Sequence, residues 1–202
     1  MTSADMPAHR HTLMKSNETI CLRALEPGDV DRLYLWENDP EMRRHGAATA
    51  PWSRHQLWEY ANNYDADPLR SGQLRLMIEK RGKPLHQDSR GNGSPNQAEN
   101  VAVGCVDLYD IDTRNRHAFV GIMIAREHRR NGYASEAMLQ LVDYCLTSLG
   151  LHSLVAVVAA DNTPSIRLFT RCGFTLRGTL ARWLRLRPGI YADAAILQFG
   201  VD

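Results

Sequence analysis

The longest amphipathic pattern in the chain lies between residues 134 and 149. Apolar side chains recur there every three or four positions, as they do along one face of an α-helix. This stripe comprises Ala134, Ala137, Met138, Leu141, Val142, Cys145, Leu146 and Leu149. Gly150 follows at a place suited to the helix C′ residue. Residues 154–160 are continuously apolar, which predicts a central strand covered on both faces and parallel to the strand before the helix.

Shorter patterns before and after this unit predict the remaining elements. Two helices are expected early in the chain, one over residues 27–39 and one that begins at the N-cap Ser53. Their expected buried residues are Val30, Leu33, Tyr34, Leu35, Leu57, Trp58, Ala61 and Tyr64. Predicted strands cover residues 18–25, 73–80, 101–110, 117–125, 174–186 and 190–201, and a short helix from residue 163 is closed by Gly173.

The order of these elements predicts the fold class. We expect an α/β (α+β) fold with a mixed, mostly antiparallel central sheet of about seven strands and helices on both faces. The chain of 202 residues is expected to form one domain over residues 19–202, preceded by a flexible tail at 1–18. Residues 82–100 carry many turn formers and almost nothing apolar, which indicates a polar loop insertion between two strands.

Composition and charge narrow the function classes. The 24 Lys+Arg and 23 Asp+Glu residues give a net charge of +1, without the basic excess typical of nonspecific nucleic-acid binding. Cys21, Cys105, Cys145 and Cys172 form no CxxC pair, so we expect reduced core thiols and no metal site. No apolar run approaches the roughly 20 residues of a membrane span. We therefore expect a cytoplasmic protein with neither a nucleic-acid nor a membrane partner.

The segment before the long helix has the features of an anion site. Arg129, Arg130 and Asn131 precede Gly132, where the helix is expected to begin. The main-chain N–H groups of residues 129–134 would then lack partners within the helix, and such groups bind phosphate. An ordinary solvated loop is the alternative for these residues alone. The P-loop and the dinucleotide-binding pattern are both absent.

Two motifs together give the sequence a family resemblance. Arg129-x-x-Gly132-x-Ala134 fits the acetyl-CoA pyrophosphate loop, [QR]-x-x-G-x-[GA], of the GNAT acetyltransferases. The second GNAT signature, an Asn that opens a short helix ending in Gly-Phe, is similar to residues 162–174, NTPSIRLFTRCGF. The resemblance covers roughly residues 19–200 and is greatest to the spermidine and ribosomal-protein N-acetyltransferases.

This resemblance implies where acetyl-CoA would bind. The pantetheine arm would pair with the main chain of residues 123–125, in a V-shaped split between two strands, and the loop amides would hold the pyrophosphate. Asn162 would bind near the pantetheine, or would serve as the N-cap of its helix, or both. The residues expected at the cofactor are Met123, Ile124, Ala125, Arg129, Arg130, Asn131, Gly132, Tyr133, Ala134, Asn162 and Phe169.

The catalytic groups are less defined. Many relatives have a tyrosine, as the acid that protonates the departing sulfur, where this chain has Phe169. The N–H near Ile124 would stabilise the oxyanion. Glu37, Asp39, Asp107 and Tyr191 are candidates for the base, and each is also explained by a structural or solvated role.

The acceptor is expected to be an amine. Residues 26–41 contain six acids and one arginine, and the resemblance implies that this region lines the acceptor side. Trp36 and Trp52 are expected either to wall that site or to belong to the core. Glu37, Asp39 and Glu41 could hold a polycationic amine, and a solvated helix end is the alternative for these three residues. We expect acetyl-CoA-dependent transfer to a primary amine, either a polyamine such as spermidine or a protein N-terminus, by a homodimer or larger homo-oligomer. A noncatalytic acyl-CoA-binding sensor or interaction module is the alternative.

Overall fold

One mixed sheet forms the centre of the structure, a computed structural model that describes residues 12–13, 19–45, 50–65, 67–82 and 100–200. Its strands are β1 (Thr12–Leu13), β2 (Ile20–Ala24), β3 (Leu74–Lys80), β4 (Val101–Asp112), β5 (His117–Ile124), β6 (Ser153–Ala159), β7 (Thr175–Arg187) and β8 (Ile190–Phe199). The spatial order is β1-β2-β3-β4-β5-β6-β8-β7. Within the described residues β5 and β6 are parallel and all other neighbours are antiparallel. The predicted fold class and its central crossover are confirmed.

Six α-helices accompany the sheet within the described ranges. They are α1 (Val30–Glu37), α2 (Pro40–His45), α3 (Arg54–Asn62), α4 (Pro68–Ser71), α5 (Tyr133–Thr147) and α6 (Thr163–Arg171). The predicted N-cap of α3 is confirmed, because Ser53 Oγ accepts the Gln56 N–H (3.1 Å) while Gln56 Oε1 accepts the Ser53 N–H (3.0 Å). The short helices α2 and α4 were not predicted, since each is too short for a periodic pattern.

Two predicted segments are described only in part. The strand β1 falls inside the expected tail, where Thr12 pairs with Arg23 and Leu13 with Leu22. The expected loop is described at Gly82 and Asn100, and the Gly82 N–H donates to Asn100 Oδ1 (3.1 Å). The rest of both segments lies outside the described residues.

The sheet buries a core on each face. Helices α5 and α6 cover the larger one, which includes Met138, Leu141 and Phe174. Helices α1 and α3 cover the smaller one, which includes Leu33, Leu57 and Met77. The burial predicted for three apolar residues was wrong, because the helices turn them towards solvent. These residues are Leu35 (65% exposed), Trp58 (48%) and Leu146 (42%).

The structure also gives the end of α5 and the placement of Trp36 and Trp52. Helix α5 ends at Thr147 with Ser148 as its C-cap, so the C′ position falls on Leu149 and not, as predicted, on Gly150. Gly150 still adopts a left-handed φ of 64°, so the chain reverses there after the helix has ended. Trp36 is buried in the smaller core and the partly buried Trp52 packs against that core, as the core alternative to lining an acceptor site predicts.

A buried ion cluster attaches the start of α1 to the sheet. The Arg23 guanidinium donates to both carboxylate oxygens of Asp29 (2.7 Å each) and to Glu79 Oε1 (2.8 Å). All three side chains are buried, and Asn100 donates a further hydrogen bond to Glu79 (3.0 Å). Because removal of one partner would leave a buried charge uncompensated, this cluster fixes α1 against β2 and β3.

The four cysteines are free and buried, as predicted. Cys145 and Cys172 belong to the larger core and Cys105 to the smaller one. Among the described residues, no helix combines the length and the apolar composition that a bilayer crossing requires.

We expect the four thiols to resist Ellman's reagent in the folded protein at mildly alkaline pH and to react fully after unfolding. Burial raises the pKa of the Cys145 thiol from 9.0 to about 12, so the reactive thiolate is scarce while the fold is intact. Absorbance measured with and without guanidinium chloride gives both rates. Thiols that react equally fast in the two conditions would contradict the buried placement.

Candidate active site

The parallel strands β5 and β6 separate after three residue pairs. His117, Ala118 and Phe119 pair with Ser153, Leu154 and Val155, respectively. Beyond these pairs β5 continues to Ile124 and β6 to Ala159, while β6 stays paired with β8 from Leu154 to Ala159. We call the gap between residues 120–124 and 156–159 the split. It is the V-shaped opening that the sequence analysis expected.

The main chain of Ile124 faces this split. Ala125 donates its N–H to Val103 O on β4 (2.9 Å). Hydrogen-bonding direction alternates along an antiparallel strand, so Met123 and Ala125 face β4 and the Ile124 N–H and C=O face the other way. The close approach of Met123 O to Gly104, where a Cβ would lie 2.1 Å away, agrees with this orientation. Of the three residues expected to pair with pantetheine, the structure turns the middle one towards the split.

The loop that follows presents a row of unpartnered amides. Arg130 and Gly132 adopt left-handed φ values of 63° and 83°, and α5 begins directly afterwards. Within the described residues, the N–H groups of residues 130–134 have no acceptor, whereas Arg129 N–H donates to Arg126 O (3.3 Å). The predicted row of free donors is therefore one residue shorter than expected. A Cβ on Gly132 would meet nothing within 4 Å, so a ligand can approach the main chain closely.

Side chains brace this loop and connect it to α2. Asn131 Nδ2 donates to His128 O (3.1 Å) and Arg129 O (3.0 Å). The Arg129 guanidinium donates to Glu41 Oε1 (2.6 Å) and to Ile124 O (3.1 Å), and Arg126 also pairs with Glu41. Arg129 is thus turned towards α2 and the split. The exposed Arg130 side chain has no ion-pair partner among the described residues.

A charged cluster lies beside β5 on the face covered by α1 and α3. Arg75 Nε and Nη2 donate to the two oxygens of Asp107 (2.6 and 3.1 Å), and Arg75 Nη1 donates to Glu37 Oε1 (2.7 Å). Asp107 lies opposite Gly121 of β5. A Cβ on Gly121 would contact nothing closer than the Tyr109 ring at 3.9 Å, so the space above this residue is open.

The family of the chain follows from the match over most of its length. Residues 19–175 match the acetyltransferase (GNAT) domain. The chain belongs to the GNAT acetyltransferase family. It is therefore an N-acetyltransferase, and the cofactor of this GNAT protein is acetyl-CoA. The five unpartnered amides and the open space at Gly132 fit the diphosphate of that cofactor.

Individual relatives support this placement. The GNAT chain is 28% identical over 164 residues to the spermidine N(1)-acetyltransferase of Vibrio cholerae, covering 81% of this chain and 83% of that protein. It is 30% identical over 161 residues to the uncharacterized N-acetyltransferase YoaA of Bacillus subtilis, covering 77% and 86%. The crystal structure of spermidine N-acetyltransferase from Vibrio cholerae in complex with CoA and spermine superposes with a TM-score of 0.73 and 26% identity, covering 91% of this chain and 96% of that one.

The second GNAT signature has a clear structural role. Asn162 Oδ1 accepts the Ser165 N–H (3.2 Å), so this residue is the N-cap of α6. Its amide nitrogen has no partner within the described residues and stays available to a ligand. Phe169 is buried and packs edge-on against Phe174, with ring centroids 5.1 Å apart. Phe169, which the family resemblance placed where many relatives have a tyrosine, is thus a core residue in the structure.

The acidic segment 26–41 is largely engaged within the protein. Asp29 belongs to the buried ion cluster, Asp31 pairs with Arg54 (2.8 Å), and Glu41 pairs with the loop arginines. Asp39 caps α2 by accepting the Glu41 N–H (2.7 Å). Among the described residues, Arg75 binds the base candidates Glu37 and Asp107, and no hydrogen bond joins Asp39 or Tyr191 to this pair. Tyr191 is exposed on the β7–β8 hairpin, where Arg182 lies 5.7 Å from its ring.

Sequence reasoning missed Arg75, the residue that joins Glu37 to Asp107. Its neighbours Leu74 and Leu76 are buried, so the alternation of β3 predicts an outward position for Arg75. The opposite face of β3 is instead covered by α1 and α3, where Tyr60 and Tyr64 pack beside Arg75. A cationic residue within an apolar strand was the available signal, but it does not identify its partners.

We expect Gly132→Val to raise the dissociation constant for CoA by about tenfold or more. A β-branched side chain strains the left-handed backbone and occupies the space beside the amides. Gly72→Val is the matched control, since Gly72 has a φ of 73° and equally open surroundings. Isothermal titration with CoA measures both variants. Equal losses of affinity in the two would show that strain, and not the loop surface, is responsible.

Proposed function

We propose that this acetyltransferase transfers an acetyl group from acetyl-CoA to a primary amine, with a polyamine such as spermidine as its acceptor. The observation that carries this proposal is the Glu37–Arg75–Asp107 cluster, which has a net charge of −1 beside the open space at Gly121. A cationic amine entering there would neutralise the cluster. Similarity to spermidine acetyltransferases at 28% identity supports the same acceptor class.

On the cofactor side, each group has a proposed partner in the chain. The Ile124 main chain would bind the pantetheine amides, and the unpartnered amides of residues 130–134 would hold the diphosphate. Arg129 would leave Glu41 and Ile124 O to pair with that diphosphate, and Arg130 would add a second positive charge. The free amide nitrogen of Asn162 would donate to the pantetheine arm.

For the chemistry, acetyl-CoA supplies an acetyl thioester, and transfer forms a C–N bond as the C–S bond breaks. Two protons leave the ammonium nitrogen: one passes through a base to solvent, and the other ends on sulfur. Glu37 is the proposed base, because its Oε2 has no partner within the described residues whereas Arg75 binds both oxygens of Asp107. The Ile124 N–H would stabilise the oxyanion.

Protonation of sulfur does not require a side chain at Phe169. A thiol with a pKa near 8.5 is a fair leaving group as the thiolate, which can then take a proton from water. The presence of Phe169 is therefore compatible with an acetyltransferase in which no side chain at position 169 protonates the departing sulfur.

We expect CoA release from acetyl-CoA to accelerate with spermidine or spermine more than with amino acids, aminoglycosides or ribosomal N-terminal peptides. Glu37→Gln should lower kcat by about 10²-fold or more, the range of a positioned base. Asp31→Asn is the control, since Asp31 is an exposed α1 carboxylate that also pairs with an arginine. A thiol-release assay with mass spectrometry of products measures both effects.

The predicted ranking of acceptors and the predicted role of Glu37 as the base can be contradicted independently of each other. Preferred transfer to a peptide N-terminus would replace the polyamine with a protein acceptor. Unchanged kcat in Glu37→Gln would remove Glu37 as the base. CoA binding without release above background for any amine would overturn the proposed reaction.

We also propose that the chain forms a homo-oligomer through β7. This 13-residue strand lies at the end of the sheet order, and nearly all of its residues are exposed. Apolar side chains cluster on it and on the adjoining part of β8: Leu176, Leu180, Trp183, Leu186, Ile190 and Tyr191. The similar spermidine N-acetyltransferase of Vibrio cholerae is dodecameric, which supports a second copy of this chain as the partner.

We expect Trp183→Ser to lower the molar mass measured by light scattering, because it removes the most exposed large apolar side chain of this strand (61% exposed). Leu35→Ser is the matched control, since Leu35 is exposed to a similar extent (65%) on α1. A wild-type mass equal to one chain, or an equal effect of the two variants, would contradict assembly through β7.

A further inference from the structure

We propose that Arg75 is a positioning residue of the acceptor site, which holds Glu37 and Asp107 apart and presents a single carboxylate oxygen, Glu37 Oε2, to the acceptor amine. This inference rests on the proposed transfer to a primary amine. It adds a residue that the two GNAT signatures do not contain and assigns the two acidic candidates different tasks.

The first support is the distribution of the Arg75 hydrogen bonds between the two carboxylates. Arg75 and Asp107 are opposite each other on β3 and β4, and Arg75 uses two donors for the two Asp107 oxygens. A third donor reaches across to Glu37 at the end of α1. Three of the four carboxylate oxygens are therefore bound to one cation. The fourth, Glu37 Oε2, has no partner among the described residues.

The second support is that Arg75 itself is held from several sides. Its main-chain N–H donates to the Tyr64 hydroxyl, and its guanidinium carbon lies 5.7 Å from the Tyr60 ring centroid. Its side chain is only 19% exposed. A planar guanidinium with fixed neighbours orients carboxylates more strictly than a flexible ammonium does.

The third support is that only two of the groups around Arg75 carry a charge. Among the described residues, the titratable groups around Arg75 are Glu37 on α1, Tyr60 on α3, Tyr64 just after α3, and Cys105 and Asp107 on β4. Burial raises the pKa of both tyrosines and of the Cys105 thiol, so these three groups stay neutral at physiological pH. The charge of the site is then set by one cation and two carboxylates.

Loss of the cation would change how this site titrates. In Arg75→Gln the two carboxylates would face each other without a positive charge between them, and like charges at short range favour retention of a proton. The deprotonated base would then be available only at higher pH. Arg75→Lys keeps the charge but lacks the fork that binds both oxygens of Asp107.

The test compares pH profiles of kcat/KM for the best acceptor in the wild type, Arg75→Gln and Arg75→Lys. We expect Arg75→Gln to lose about 10²-fold in kcat/KM and to move the acidic limb to higher pH. Arg75→Lys should keep the wild-type limb while losing about tenfold. The control is Arg54→Gln, because Arg54 also pairs with an α1 carboxylate and stacks on a tyrosine, 4.0 Å from the Tyr34 ring centroid, but lies on the exposed side.

CoA affinity and melting temperature separate positioning from folding. We expect both Arg75 variants to bind CoA as the wild type does, because the loop amides do not contact Arg75. If Arg75→Gln does not fold, the pH profile and the activity of Arg75→Lys test the role of Arg75. An unshifted acidic limb in Arg75→Gln, or an Arg75→Lys enzyme no more active than Arg75→Gln, would overturn the role of Arg75. A wild-type enzyme that acetylates no amine would overturn the proposed function instead.

Discussion

The separation of β5 from β6 after three residue pairs is the constraint on which the site depends. A strand in the middle of a sheet normally satisfies its main-chain groups on both sides, and a buried peptide group without a partner is costly. Here β4 satisfies one side of β5, while the Ile124 N–H and C=O point into the gap. An extended ligand with amide groups can therefore act as the missing strand. In the proposed complex, ligand recognition would begin where the parallel pairing of β5 and β6 ends.

A second constraint fixes the direction of α5, whose N-terminus carries the unpartnered amides. Glu136, in the first turn of α5, accepts the Ile20 N–H (3.1 Å) and the Thr19 hydroxyl. Gln140 donates to Ile20 O one turn later (3.4 Å). These bonds connect the helix to β2, on the other side of β3 and β4 in the sheet order. The position of the amides is thus set by the sheet as a whole and not by the loop alone.

The sequence was informative where function depends on local backbone geometry. Arg129-x-x-Gly132-x-Ala134 identified a strand-to-helix loop in which Gly132 adopts a left-handed φ, and Asn162 was expected as a possible N-cap. Such features are determined by a few consecutive residues, so they can be read from them. The acceptor side is different, because Glu37, Arg75 and Asp107 come from three distant segments. Periodicity also assigned Leu35 to the core, since α1 is too short for its apolar residues to define one face.

The bond from Arg129 to the Ile124 carbonyl has a consequence for the order of events in turnover. In the proposed complex the same carbonyl serves the pantetheine arm, and one oxygen facing a narrow gap has room for one of these donors at full strength. Arrival of the coenzyme would then require an exchange of partners, and its departure would allow Arg129 to return. Because the same guanidinium also contacts Glu41, which Arg126 binds as well, the exchange would leave α2 attached to the loop through Arg126 alone.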